Sequence, residues 1–185
     1  MNLYLAGFDV FRTDAQAHGE RLKAACAAHG ITGWYPLDGD VPPGLSGPAA
    51  ARWIFEANVA RIRASDAVMA NLNAFRGHEP DSGTAFEVGY AAALGKPIWA
   101  YTDEARPLVA QLGQGADAPG QPVHDTDGYL VEDFGLPVNL MLACAARLVV
   151  GDAQACLAAI AASRQRAAGA GTPAPGAGAA GLDTV

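Results

Sequence analysis

Between Ser82 and Gly95 nearly every residue is small or apolar, and Glu87 is the only charged side chain. The run reads as a helix that Asp81 or Ser82 can cap and Gly95 can close. Apolar residues cover nearly every face of it, which predicts a buried helix. A carboxylate taken out of water without a partner is costly, so a lone Glu in such a helix is a candidate for chemistry. The plain alternative is a Glu looking out through a gap between neighbouring elements. The chemistry a single carboxylate offers is nucleophilic attack at an anomeric carbon, which splits one hard displacement into two easier ones through a covalent intermediate. A helix N-terminus would favour its charged form, and a tyrosine hydroxyl would orient it.

Other chemistries find little support. The turn after the first apolar run has neither a GxGxxG pattern nor a P-loop lysine, so nothing calls for a dinucleotide or nucleoside triphosphate cofactor. No serine sits in a GxSxG elbow. Neither the four histidines nor the three cysteines show metal-ligand spacing, and no cofactor or metal is expected. His78 beside Glu79 reads as a surface residue, Tyr4 as a core tyrosine and Asp81 as a helix cap, each with a second possibility of touching a ligand.

The elements that must position these side chains alternate. Residues 2–7 (NLYLAG) form a first strand and residues 8–12 a loop. Thr13 or Asp14 caps a helix that runs to about residue 29. A strand over 31–35 leads to a Gly-, Pro- and Asp-rich loop at 37–48 and then a helix at 49–65. Residues 67–72 (AVMANL), entered through Asp66, form a third strand, and 73–80 form a second long loop. After the Glu87 helix come a strand at 97–101, a short helix at 104–112, a Gly/Pro-rich loop at 113–122, a helix at 137–144 and a strand at 147–150. Asp152 caps a last helix to about residue 166. Residues 167–185 are Ala/Gly/Pro-rich without periodicity and are expected to be disordered.

The expected fold is therefore one α/β domain over residues 1–166, flavodoxin- or Rossmann-like, with a five-stranded, mainly parallel sheet flanked by helices. In such sheets ligands bind beyond the carboxyl ends of the strands, where strand order reverses. That rule gathers Gly7, Asp38, Asp81, Gly83 and Glu87 around one crevice, with Tyr4 below it.

Composition bounds the partners. The chain has 185 residues, 51% hydrophobic and 17% charged, with a net charge of −7. This suits a folded protein without a nucleic-acid partner. No apolar run reaches transmembrane length, so no membrane partner is expected. The odd cysteine count and the lack of a signal peptide place the chain in a reducing cytoplasm. Cys26, Cys144 and Cys156 all fall in Ala-rich helical stretches and are read as buried thiols.

Residues 75–89, FRGHEPDSGTAFEVG, resemble the core motif of the nucleoside 2-deoxyribosyltransferase family. LYLAG at 3–7, SDAVMANL at 65–72 and GLPVNLM at 135–141 are similar to three further segments of that family, in the same order. The FRGHEPD form looks most like its purine-preferring trypanosomatid members. The resemblance implies exchange of the base of 2′-deoxynucleosides, with 2′-deoxynucleosides and free nucleobases as the small-molecule partners. It implies Glu87 as the nucleophile at C1′, Tyr4 as the group that holds it, and Asp81 as the partner of the sugar's C5′ hydroxyl. Asp66 matches a carboxylate near the base that could exchange its proton. Asn139, with Met141 beside it, matches residues lent to a neighbouring subunit's site, which implies a homo-oligomer with shared sites. The base-contacting position of the loop after the second strand falls near Asp38 and Asp40. Interception of the glycosyl enzyme by water would give a hydrolase instead, and loss of turnover a nucleoside-binding domain.

Overall fold

The computed structural model describes residues 1–113 and 121–170. Its five strands are β1 (Asn2–Ala6), β2 (Thr32–Trp34), β3 (Ala67–Asn71), β4 (Ile98–Thr102) and β5 (Arg147–Val150). They form one all-parallel sheet in the order β2-β1-β3-β4-β5. Six α-helices complete the architecture: α1 (Ala15–Ala28), α2 (Gly47–Ala64), α3 (Ser82–Ala93), α4 (Leu108–Leu112), α5 (Leu140–Ala145) and α6 (Ala153–Ala170). This is the doubly wound arrangement expected, and the strand order reverses between β1 and β3.

Successive strand residues point to opposite faces, so the sheet carries two cores. Leu3, Leu5, Met69 and Tyr101 pack with Leu22 and Cys26 of α1 and with Cys156, Leu157 and Ile160 of α6. Tyr4, Ala6, Val68 and Ala70 pack on the other face with Ile62 of α2 and with Val88 and Ala91 of α3. Every residue of β3 and β4 is buried, as strands covered on both faces should be.

Several boundaries differ from expectation for identifiable reasons. The loop after β1 is a 3-10 turn, Phe8–Phe11. Helix α2 starts at Gly47 because Pro48 is tolerated in a first turn, where its missing N–H has no partner to lose. Helix α4 begins only at Leu108, after Pro107 in extended conformation. Helix α5 starts at Leu140 because Asn139 accepts a cap bond from the Met141 N–H at 3.0 Å. Asp14 holds the cap position of α1, but its carboxylate binds Arg12 and Arg21 instead of the helix amides. Helix α6 continues to Ala170, four residues past its expected end; residues 171–185, most of the expected tail, and 114–120 lie outside the described part. Among the described residues, no helix is long and apolar enough to cross a membrane.

Two expectations fail on burial. Helix α3 is not sunk in the core: only Thr84, Val88 and Ala91 are buried, and Phe86 and Leu94 are exposed. The run is apolar all round, but one sheet can cover only one side of it. Cys144 is likewise exposed, on α5, whereas Cys26 and Cys156 are buried.

Candidate active site

Tyr4 sits in the middle of β1, paired with Trp34 on one side and Val68 on the other, and is fully buried. It is a core tyrosine in position and a site tyrosine in its hydroxyl. The O–H donates to Oε1 of Glu87 at 2.5 Å. Glu87 lies in the second turn of α3, which packs against β1 and β3 on the Tyr4 face. Asp81 stands at the head of the same helix. Its Oδ2 accepts from the Thr84 N–H at 2.9 Å and the Thr84 hydroxyl at 3.1 Å, while its Oδ1 accepts no hydrogen bond from the described residues. Gly83 lies close against that carboxylate, since a Cβ added to it would come 3.0 Å from Oδ2.

Burial pushes the Glu87 carboxyl up to about 7 from 4.5; the Tyr4 hydrogen bond pulls it down and the Asp81 charge pushes it up. The expected help from the helix N-terminus does not win, because Glu87 lies beyond the first turn, where that field has faded. The Tyr4 phenol is held protonated by burial and by the neighbouring Glu87 charge, against the opposing pull of Arg61. Tyr4 is therefore a fixed donor and Glu87 an acceptor that is partly ionised at neutral pH. An ionised Glu87 with one oxygen held by Tyr4 can attack an electrophilic carbon. The unengaged oxygen of Asp81 can accept a hydrogen bond from a neutral hydroxyl at the mouth of the same crevice.

Gly7 follows β1 at its carboxyl end. A Cβ there would lie 2.8 Å from Asp9 Oδ2 and 3.0 Å from Asn71 Cβ. These two side chains are bonded to each other, Asn71 Nδ2 to Asp9 Oδ2 at 2.9 Å, and Asp9 also faces His18. Close approach at the top of β1 and β3 thus requires a residue without a side chain.

Asp38 has both oxygens engaged: Lys23 Nζ donates to Oδ1 at 2.7 Å and the Tyr35 N–H to Oδ2 at 2.8 Å. It shapes the loop after β2 rather than presenting a free carboxylate. Asp66 lies at the wrong end of the sheet. It precedes β3, its Oδ2 accepts from the Asn2 N–H at 2.6 Å and its own N–H donates to Asn2 O. Lys96, just beyond α3, reaches Ser65 O there at 2.6 Å. Asp81, by contrast, opens α3 at the carboxyl end of β3. A proton-exchange role for Asp66 at the Glu87 site is therefore corrected: strand polarity puts it below the sheet.

Asn139 and Met141 flank a groove of about 490 Å³ shared with Ala85, Gly89 and Ala92 of α3. Glu87 and Gly89 are two residues apart, about 160° around a helix. The groove and the Glu87 carboxylate thus occupy opposite flanks of α3, and Met141 is 72% exposed. One side chain near the site escaped the sequence reading. Arg61 of α2 reaches toward the loop after β2 and acts electrostatically on Tyr4; its rotation about α2 has no signature in the local sequence.

Comparisons with known proteins bear on the family and the fold. The family model described as nucleoside 2-deoxyribosyltransferase matches residues 3–141. An uncharacterized protein of Schizosaccharomyces pombe is 30% identical over 161 residues, covering 75% of this chain and 74% of that protein. Among solved structures, a 2-desoxiribosyltransferase from Leishmania mexicana is 35% identical, with a TM-score of 0.70 over 87% of this chain and 97% of that one. A 2-deoxyribosyltransferase from Bacillus psychrosaccharolyticus shares the fold at 17% identity, with a TM-score of 0.55 over 83% of this chain and 88% of that one. The match spans β1, the Glu87 helix and the Asn139–Met141 segment together, and this chain belongs to the nucleoside 2-deoxyribosyltransferase family.

Proposed function

We propose that this protein exchanges the base of 2′-deoxynucleosides through a deoxyribosyl ester on Glu87, and that purines are among its substrates. The observation that carries the reading is the 2.5 Å hydrogen bond from Tyr4 to a Glu87 carboxylate that lies below Asp81, at the carboxyl end of the sheet. In the first half-reaction a Glu87 oxygen forms a bond to C1′ as the C1′–N bond breaks and the base leaves with the electron pair. A second base then attacks C1′ with a ring nitrogen and releases the carboxylate. Two inversions give overall retention. Tyr4 fixes the nucleophile throughout and, by holding its proton, does not compete for it. Asp81 accepts the C5′ hydroxyl.

The active form is proposed to be a homo-oligomer in which Asn139 and Met141 complete a neighbour's site. Support comes from their place on the flank of α3 opposite Glu87 and from apolar side chains exposed in the single chain, Ile54 and Phe55 on α2, Phe86 and Leu94 on and just after α3, and Met141 on α5. The likeness to the Leishmania enzyme supports the assignment to base exchange.

The test is incubation with deoxyinosine, with and without free adenine, followed by separation of products. Formation of deoxyadenosine is expected. Free deoxyribose without deoxyadenosine would make the protein a hydrolase, and recovery of unchanged deoxyinosine would make it a binding domain.

A further inference from the structure

The loop that leaves β2 runs against the C-terminal half of α2, and two cations hold it from opposite helices. From α1, Lys23 binds Asp38, whose other oxygen caps the Tyr35 N–H. From α2, Arg61 Nη1 donates to the carbonyl of Pro36 at 3.3 Å and to Asn58 Oδ1 at 3.1 Å. Its second terminal nitrogen lies against Gly39, where a Cβ would come within 3.2 Å. One guanidinium therefore touches the loop at two points and is itself oriented by Asn58. Without such contacts the loop has reason to move. Gly39, Gly44 and Gly47 all adopt left-handed φ values, at 104°, 90° and 52°, a region where only glycine is unstrained and where the chain is most permissive.

Arg61 also acts electrostatically on the Tyr4 phenol, where its charge opposes the rise that burial imposes. The residue thus connects the loop wall, α2 and the Tyr4–Glu87 bond.

We infer that Arg61 is a positioning residue: it pins the loop at 36–46 against α2 as a wall of the nucleoside site, at the carboxyl end of β2. The inference rests on the base-exchange reading for its kinetic consequence, but not for its structural one. A guanidinium is suited to the task because its planar fork can serve the Pro36 carbonyl and Asn58 together, which a lysine ammonium on a flexible stem does poorly.

The experiment uses the full chain with Arg61→Met and Arg61→Lys, and two readouts. In the first, thermolysin digestion of the native protein is mapped by mass; cleavage between residues 36 and 46 should be about tenfold faster in Arg61→Met, with cleavage elsewhere unchanged, the size set by loss of a charge-assisted bond worth about 1.5 kcal/mol. In the second, base exchange should show KM raised about tenfold in Arg61→Met with kcat within about threefold of wild type, and the KM of Arg61→Lys should lie between. Unchanged loop cleavage in Arg61→Met would overturn the inference. So would a fall in kcat with KM unaltered, which would make Arg61 part of the chemistry rather than of the wall. Inactive wild-type protein with faster loop cleavage in the variant would sink the base-exchange reading and leave the pinned loop standing.

Discussion

The state of Glu87 gives a quantitative test that needs no substrate. Its carboxyl is displaced from 4.5 to about 7, with burial as the leading cause. At about 1.36 kcal/mol per pH unit, keeping this group ionised in the folded protein costs about 3 kcal/mol. The sign follows from proton binding. Between pH 4.5 and 7 the unfolded chain has released the proton while the native site retains it, so unfolding free energy falls as pH rises. Below 4.5 both states are protonated and the contribution vanishes. Above 7 both are ionised and the full cost is present. Glu87→Gln keeps the shape and the acceptor for Tyr4 but carries no charge, so the slope is removed. We expect urea denaturation to show Glu87→Gln gaining about 2–3 kcal/mol on wild type between pH 5 and pH 8. The two proteins should be close at pH 4.5. Other titrating groups are shared by the two proteins and cancel. A gap that stays constant from pH 5 to pH 8 would refute a Glu87 carboxyl raised by desolvation. Under the proposed function, kcat/KM of wild type should rise through a limb near pH 7 as the nucleophile ionises, and Glu87→Gln should have almost no activity.

Further predictions concern the surroundings of that carboxylate. Asp81 should repel a substrate's 5′-phosphate, so deoxyadenosine should be used at least tenfold better than its monophosphate, about 1.4 kcal/mol; Asp81→Ser, which can still cap α3, should narrow the gap, and equal kcat/KM values in wild type would remove the argument. If sites are shared, Glu87→Ala and Asn139→Ala proteins, each inactive, should recover about a quarter of wild-type activity when mixed and allowed to exchange subunits as a dimer; no recovery after demonstrated exchange would place Asn139 outside the neighbour's site. Gly7→Ala forces a methyl to within 2.8 Å of the Asp9 carboxylate and should lower stability by about 1–3 kcal/mol in thermal melts, whereas an unchanged Tm would show that the top of β1 can yield.

How much of this was legible in the chain differs from residue to residue. Glu87 stood out because a single charge in a small, apolar helix is a local anomaly that composition alone displays. Tyr4 read first as core, since a tyrosine in a strand ordinarily is; the sheet rule set it near the crevice and the resemblance gave it a role, and in the fold it is core as well. Asp81 read as a cap and is a cap, with one oxygen left over for a second task. Asp66 entered through the resemblance alone; the polarity of a parallel strand puts a residue that precedes β3 at the end away from the crevice. Asp38 was grouped with the site by its loop; one oxygen closes a local turn on the Tyr35 N–H, and the other meets Lys23 of α1, whose approach no local pattern encodes.

The alternation of strand and helix, the parallel sheet and the crevice at its carboxyl end follow from periodicity and from the Gly and Pro breaks, because these are properties of neighbours along the chain. The direction each helix turns its faces is not. Helix α3 carries apolar residues all round, so its sequence predicts burial everywhere, yet the sheet covers Thr84, Val88 and Ala91 and leaves Phe86 and Leu94 in solvent. Only tertiary packing set the rotation that brings Glu87 under Tyr4 and turns Gly89 toward Asn139. The same holds for Arg61, whose contacts at Pro36 and Asn58 depend on how α2 lies on the sheet. Residue types and spacing determined which groups could react; the docking of helices on β1 and β3, long-range contacts between distant segments, decided which of them meet.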